Sequence, residues 1–141
     1  MNKYLQLFYN STQTNESAET MEKVCKTSNL HVIKLTRWTL KQAFEFVDTL
    51  NNKETAKIIH LVRDPRAIFN SRFKLDWCMK DECGDIEATC DRMIKDFETF
   101  EEMKKLYPNN LLRVKYEQLA LDAVNYSRKL FRALNIKFSS D

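Results

Sequence analysis

Glycine and proline are scarce in this chain of 141 residues, which contains one Gly and two Pro. Both residues supply the tight turns on which folds made of many short strands depend. Their scarcity argues against an all-β fold and predicts that helices dominate. The sequence also lacks a run of about 18 apolar residues, and residues 1–20 lack the apolar core and the cleavage site of a signal peptide. We therefore expect a membrane anchor, if one exists, to lie outside these residues.

The chain also lacks a large excess of positive or negative charge. The chain has 23 basic and 20 acidic residues, which leaves a net charge of +3. A domain that binds nucleic acid or an anionic membrane usually carries a strong overall excess of Lys and Arg. This balance gives no such support, so we expect no nucleic-acid partner. The length corresponds to one domain at most.

The most informative stretch is IIHLVRDPRAIFNSR, which spans residues 58–72. Its first five residues are apolar apart from His60, and we interpret them as a central strand, buried on both faces, that ends at Arg63. Asp64 followed by Pro65 is a strong helix start, because the Asp carboxylate caps a free amide and Pro has no amide proton to lose. Since ligands of open α/β sheets gather at the carboxyl ends of strands, Arg63 is a candidate binding residue.

Ser71 is the second candidate in this stretch. It lies seven residues after Asp64, which is about two turns at 3.6 residues per turn, so it returns to the helix face of the cap. We predict that the Arg63 guanidinium and the Ser71 hydroxyl converge on one small anion such as a phosphate.

The other apolar patterns predict further strands and helices. Strands are predicted over Leu30–Leu35 and Leu111–Tyr116. Helices are predicted around Ala18–Cys25, from Thr39 to near Asn51, from Asp85 to Tyr107, and from Asp122 onward. This order predicts an α/β fold with a parallel sheet covered by helices on both faces. We interpret residues 1–29 as a polar, loosely ordered lead-in and residues 30–141 as the domain.

Two of these helices have a predicted core face. In the longest helix, apolar residues recur every three or four positions, and we expect all of them to pack in the core: Ile86, Cys90, Met93, Ile94, Phe97, Phe100 and Met103. The last helix is predicted to bury Val124, Leu130, Phe131 and Leu134. We assign no catalytic residue, because His60 is interpreted as a packed strand residue. The carboxylates that follow the central strand and its helix are interpreted as a solvated loop: Asp81, Glu82, Asp85 and Glu87.

The chain has four cysteines: Cys25, Cys78, Cys83 and Cys90. The C-x4-C-x6-C spacing of the last three fits no common zinc knuckle and no His is near them in sequence, so we expect no metal site. Two alternatives stay open, either free buried thiols or a disulfide within residues 78–90, which would indicate an oxidising compartment. Three Asn-x-Ser/Thr sequons agree with such a compartment: Asn10, Asn15 and Asn125.

Two motifs give the chain a resemblance to a known family. They are RDPRA at 63–67, followed by Ser71 and Arg72, and VKYEQLA at 114–120. With them the chain resembles the carbohydrate sulfotransferases, Golgi enzymes that place sulfate on hydroxyls of glycan units. The resemblance covers roughly residues 31–136 and implies a P-loop NTPase-like α/β fold.

The resemblance also implies a donor, a partner and a site. The donor of that family is 3′-phosphoadenosine 5′-phosphosulfate, whose 3′-phosphate is bound by the strand-end Arg and the helix Ser, which correspond to Arg63 and Ser71. The acceptor is a glycan or glycosaminoglycan in the Golgi lumen. Glu117 and the residues around Tyr116 match a signature that looks structural, and the family's cysteines near residues 78–90 favour a luminal disulfide.

One part of the family pattern has no counterpart here. A glycine-rich loop after the first strand cradles the 5′-phosphosulfate in that family, and residues 1–30 contain no Gly. We therefore expect a partial sulfotransferase, from a partial gene model or a truncated isoform, that supplies the 3′-phosphate half-site and is inactive alone. The alternative is a truncated, non-catalytic relative that acts as a binding or interaction protein. A P-loop-like kinase fragment is disfavoured, because RDPRA with its following Ser fits the sulfotransferases better.

Overall fold

The computed structural model of the chain describes residues 17–79 and 82–139. The described residues separate into two compact units, one within residues 17–36 and one within residues 37–139. The first unit contains helix α1, Ser17–Thr27, which confirms the helix predicted around Ala18–Cys25. The part of the predicted lead-in that covers residues 1–16 lies outside the described residues.

The strand predicted over Leu30–Leu35 is wrong. These residues have no regular secondary structure, and Val32 is 84% exposed. A partly alternating apolar pattern makes a strand possible, but a strand forms only where its backbone amides and carbonyls find a partner strand. In the described part of the chain no strand pairs with this segment.

The second unit contains most of the regular structure. Its helices are α2 (Leu40–Asp48), α3 (Pro65–Arg72), α4 (Asp76–Met79), α5 (Ile86–Leu106), α6 (Tyr116–Leu121) and α7 (Ala123–Ala133). Its strands are β1 (Ile58–Val62) and β2 (Leu111–Lys115), and short 3₁₀ turns cover Lys53–Thr55 and Glu82–Gly84. Helices dominate the described residues, as the scarcity of Gly and Pro predicts. None of the described helices is long and apolar enough to cross a membrane.

Local capping chemistry fixes the helix starts. Thr39 caps α2 through a reciprocal pair of hydrogen bonds with Gln42: the Thr39 hydroxyl accepts from the Gln42 amide at 3.2 Å and Gln42 Oε1 accepts from the Thr39 amide at 2.8 Å. Asp64, Asp85 and Asp122 cap α3, α5 and α7 through their side chains. All four predicted starts are confirmed, whereas α2 ends at Asp48, before the predicted Asn51.

The two strands form a small parallel sheet in which Ile58 pairs with Leu111 and Val62 pairs with Lys115. One face of the sheet packs on α5, where the His60 ring lies 5.9 Å from Phe97 and 5.8 Å from Phe100 between ring centroids. The interpretation of His60 as a packed residue is confirmed. The buried core beneath this face consists of Leu40, Phe44, Phe100 and Leu111.

The other face of β1 is open. Ile59 is 43% exposed and Leu61 is 58% exposed, so the prediction that β1 is buried on both faces is wrong. On the same face of the sheet Val114, which pairs with Leu61, is only 3% exposed, so among the described residues this face is covered at β2 and open at β1. An apolar run does not reveal whether a second layer lies over it. In the described residues β2 is the only strand that pairs with β1, which leaves the other edge of β1 without a hydrogen-bonded strand.

Two predicted core faces are also only partly buried. On α5, Phe100 is buried, but Ile86 and Ile94 are 51% and 56% exposed. The helix has 21 residues, which is about 31 Å at 1.5 Å per residue, and each strand has five residues, or about 17 Å. The ends of α5 therefore extend beyond the sheet. On α7, Val124 is 54% exposed, against the prediction.

A disulfide joins Cys78 in α4 to Cys83 in the following 3₁₀ turn. This bond decides between the two alternatives for these residues in favour of a disulfide within residues 78–90. Cys25 and Cys90 are free thiols. Among the described residues no cluster of His, Cys, Asp and Glu side chains is arranged to hold a metal ion.

The open face and edge of β1 lead to a prediction about the isolated 141-residue chain. We expect it to unfold gradually on heating or to aggregate, because exposed apolar strands with a free edge pair between molecules. Thermal melting followed by circular dichroism, with light scattering recorded in parallel, measures both outcomes. A sharp cooperative transition well above room temperature, without scattering, would contradict the expectation.

Candidate anion-binding site

The carboxyl ends of β1 and β2 meet at one edge of the sheet because the strands are parallel and in register. A cavity of about 540 Å³ opens at this edge. Its lining residues are Val62, Arg63, Asp64, Pro65, Arg66, Met93, Phe97, Lys115 and Glu117. β1 ends at Val62, one residue before the predicted end, so Arg63 is the first residue beyond the strand and lies where the topology rule places a ligand.

Arg63 is held by an aromatic ring. Its guanidinium carbon lies 4.4 Å from the centroid of the Tyr116 ring, a cation–π contact that fixes the plane of the guanidinium. The side chain is half-buried, and its Nε is buried and has no hydrogen-bond partner among the described residues. No carboxylate of the described residues forms an ion pair with Arg63. A buried donor without a partner costs free energy, and an anion at this position would satisfy it.

The carboxylate of Asp64 is hydrogen-bonded to the nearby residue Arg66. Asp64 Oδ1 accepts from the Arg66 backbone amide at 2.8 Å and from Arg66 Nε at 3.0 Å, and Oδ2 accepts from Arg66 Nη2 at 2.5 Å. The hydrogen bonds from the Arg66 side chain, and then from its backbone, lower the pKa of Asp64 to about 2. A carboxylate with this pKa stays ionised at neutral pH and is a poor proton acceptor, so Asp64 is a cap and not a general base.

Glu117 forms a hydrogen bond between the segments that follow the two strands. Its Oε1 accepts from the Asp64 backbone amide at 2.8 Å, and this hydrogen bond is the main reason that the pKa of Glu117 is lowered. The contact fixes the turn after β1 against the start of α6. Glu117 therefore has a structural contact, in keeping with the role that the family resemblance implies.

Ser71 lies near the end of α3 and is exposed. It is not among the residues that line the cavity, and no hydrogen bond in the described residues joins it to Arg63. Ser71 is seven positions after the Asp64 cap, which is about 10 Å along the axis at 1.5 Å per residue. The structure places both residues on the β1–α3 connection without bringing them into contact, and their convergence on one anion stays a prediction.

Residues that sequence reasoning missed come from the end of β2, the start of α6 and the middle of α5. Tyr116 supplies the ring under Arg63, and Lys115 adds a cationic side chain to the cavity lining. Lys115 is the last residue of β2 and Tyr116 is the first residue after it, so the rule that pointed to Arg63 would also have pointed to them. Phe97, predicted to be core, is 37% exposed and forms an apolar wall of the cavity.

The remaining candidates for proton transfer lie elsewhere. Burial is the main reason that the pKa of His60 is lowered; Arg113 acts in the same direction and Asp96 opposes it. His60 is not among the cavity-lining residues. In the predicted acidic loop, Asp85 caps α5 by accepting from the Ala88 amide at 3.0 Å, and Asp81 lies outside the described residues. We still assign no catalytic residue.

Comparison with known proteins gives one match. A family model described as the sulfotransferase family matches residues 3–140, which is nearly the whole sequence. No curated protein and no solved structure matches the chain. The resemblance noted from RDPRA and YEQLA is confirmed at the level of the sulfotransferase family, and the small parallel sheet with its helices fits an α/β domain of that kind.

Proposed function

The chain belongs to the sulfotransferase family, and we propose that within this family it is a carbohydrate sulfotransferase. Sulfotransferases move a sulfuryl group to an acceptor and generally use 3′-phosphoadenosine 5′-phosphosulfate as the donor. The proposed acceptor is a hydroxyl of a glycan or glycosaminoglycan. Support for the carbohydrate branch comes from RDPRA at 63–67 and YEQLA at 116–120.

Arg63 is the observation that carries the proposal. A half-buried guanidinium that forms no ion pair with any described carboxylate and is fixed on Tyr116 at the carboxyl end of a parallel strand is suited to a phosphate. In the proposed complex the 3′-phosphate of the donor accepts hydrogen bonds from Arg63, and the Ser71 hydroxyl donates to the same phosphate. Lys115 contributes positive charge to the same cavity.

These contacts position the donor and do not touch the reacting atoms. In the reaction the bond between the donor's bridging phosphate oxygen and sulfur breaks, and a bond from sulfur to the acceptor oxygen forms. The acceptor loses its proton and adenosine 3′,5′-bisphosphate leaves. In this proposal Arg63 and Ser71 bind a phosphate remote from sulfur, so they hold the donor in place. Other groups must stabilise the transition state of the transfer.

The proposal assigns only the 3′-phosphate half-site to this chain. Charge-assisted hydrogen bonds from Arg63 and Ser71 contribute roughly 1.5–3 kcal/mol each before the cost of ordering the donor and both side chains. After that cost we expect an affinity of about millimolar. We propose that the 141 residues alone do not turn over substrate, since the 5′-phosphosulfate needs its own cradle of backbone amides. The proposed location is the Golgi lumen, which the Cys78–Cys83 disulfide supports.

The test is whether a 3′-phosphate on the nucleotide increases its affinity for the site. We expect adenosine 3′,5′-bisphosphate to bind roughly tenfold or more tightly than adenosine 5′-monophosphate, because only the first ligand carries the phosphate that Arg63 contacts. Titrations followed by NMR at fixed ionic strength measure dissociation constants in the millimolar range. Equal affinities for the two nucleotides would contradict the proposed role of Arg63.

A further inference from the structure

A second cavity lies at the carboxyl end of α7, among residues that the proposed donor site does not use. It has a volume of about 370 Å³ and is lined by Arg128, Arg132, Asn135, Ile136, Lys137 and Phe138. Three of these six side chains are cationic. Each of the three cations is exposed, so the cavity is open to a ligand from solution.

The segment that forms this cavity concentrates positive charge. Residues 123–139 contain no acidic residue and four basic ones: Arg128, Lys129, Arg132 and Lys137. The chain as a whole has a net charge of only +3, so the excess is local. The flanking acidic residues are Asp122, which caps the opposite end of α7, and Asp141, which lies outside the described residues.

The helix end brings the cations together. Arg128 and Arg132 are four residues apart and share one face of α7. Asn135 has a φ of 57°, and the Ile136 amide donates to the Phe131 carbonyl at 2.8 Å, which is a Schellman C-cap. This cap turns the chain back on the helix. The next residues, Lys137 and Phe138, therefore complete the same cavity.

The cations have no counter-charge in the described part of the chain. Arg132 and Lys137 form no ion pair there, and Arg128 Nη1 donates to the neutral Asn125 Oδ1 at 2.7 Å. The carbonyls at the end of α7 favour a nearby cation. The partial charges of these carbonyls do not neutralise three cations around one cavity. A bound anion would reduce the repulsion between the cations.

We infer that this cavity binds a sulfate or carboxylate group of an acidic polysaccharide. The preference for an anion rests on the arrangement of Arg128, Arg132 and Lys137; that the polysaccharide is the acceptor of the reaction rests on the proposed function. Nucleic acid fits less well. The Phe138 ring contacts Phe131 edge-on at 5.4 Å and carries the Arg128 guanidinium at 5.6 Å from its centroid, so it is not a free surface on which a base can stack.

Isothermal titration with a heparin octasaccharide tests the inference on the 141-residue chain. Wild-type protein is expected to bind with an affinity that falls as salt is raised. In the double variant Arg132→Glu/Lys137→Glu the affinity should fall by at least about tenfold, because two contacts become repulsive. The matched control is Lys41→Glu/Lys105→Glu, which reverses the same number of charges at exposed positions on α2 and α5 and should stay within about twofold of wild type.

Three results would overturn the inference. They are no binding to wild type, an equal loss of affinity in both double variants, or single-stranded DNA of the same charge that binds as tightly and responds to the same variant. Circular dichroism spectra at low temperature show whether both variants keep the wild-type fold. Adenosine 3′,5′-bisphosphate separates this site from the donor site: Arg132→Glu/Lys137→Glu should bind it like wild type. Failure of the nucleotide to bind any variant would count against the proposed function alone.

Discussion

Replacing Phe100 with Ala is expected to abolish the folded state of the unit formed by residues 37–139. The Phe100 side chain is 7% exposed in the buried core, lies 5.8 Å from the His60 ring and lies 3.7 Å beneath the Arg113 guanidinium. Truncation of a buried Phe costs about 3–5 kcal/mol, a large fraction of the stability of a small domain. The measurement is the helical circular dichroism signal at low temperature together with its urea dependence.

The same helix provides the control for this experiment. Ile94 is also on α5, but its side chain is 56% exposed, so Ile94→Ala should change stability by about 0.5 kcal/mol or less. The contrast separates loss of core packing from any general effect of Ala on α5. If Phe100→Ala kept the same helical signal and the same urea dependence as Ile94→Ala, the packing of α5 against β1 and β2 described above would be wrong.

Local chemistry explains why the helix starts could be predicted from the sequence. Thr39, Asp64, Asp85 and Asp122 act on amides within three residues, so the information is contained in a short stretch of chain. α6 illustrates the limit of this approach. It begins at Tyr116 directly after β2 with no side-chain cap, and without a capping residue this helix could not be predicted.

Features that depend on distant residues could not be predicted. Residues 30–35 have an apolar pattern suited to a strand, but whether a partner strand lies beside them is not encoded in that pattern. The exposure of Leu61 has the same origin, since burial on a second face requires an element from elsewhere in the chain. The 21 residues of α5 likewise show an apolar stripe without showing how short the sheet beneath it is.

The candidate site also combines a residue that could be predicted from local sequence with residues that could not. Arg63 could be located from sequence, because a strand followed by Asp64-Pro65 fixes where the strand ends and ligands gather there. The ring of Tyr116 and the carboxylate of Glu117 reach this turn only because β2 pairs in parallel with β1. Fifty-three residues separate Glu117 from Asp64, too many for a local motif to reveal the contact.

Arg63 is the residue on which the proposed function depends most. Arg63→Ala should weaken binding of adenosine 3′,5′-bisphosphate by roughly 10- to 100-fold, because one charge-assisted contact of about 1.5–3 kcal/mol is lost. The loss should be confined to ligands with a 3′-phosphate, so adenosine 5′-monophosphate should bind the variant and wild type alike. A general distortion of the cavity would weaken both nucleotides.

The most direct measurement is therefore a titration of adenosine 3′,5′-bisphosphate into wild type, Arg63→Ala and Arg66→Ala at one ionic strength. Arg66→Ala is the matched control, because it removes the same charge from the same cavity lining while its guanidinium is already paired with Asp64. We predict that Arg63→Ala loses the affinity and that Arg66→Ala retains it within about threefold. Equal affinity of wild type and Arg63→Ala would contradict the assignment of Arg63 to the donor's 3′-phosphate.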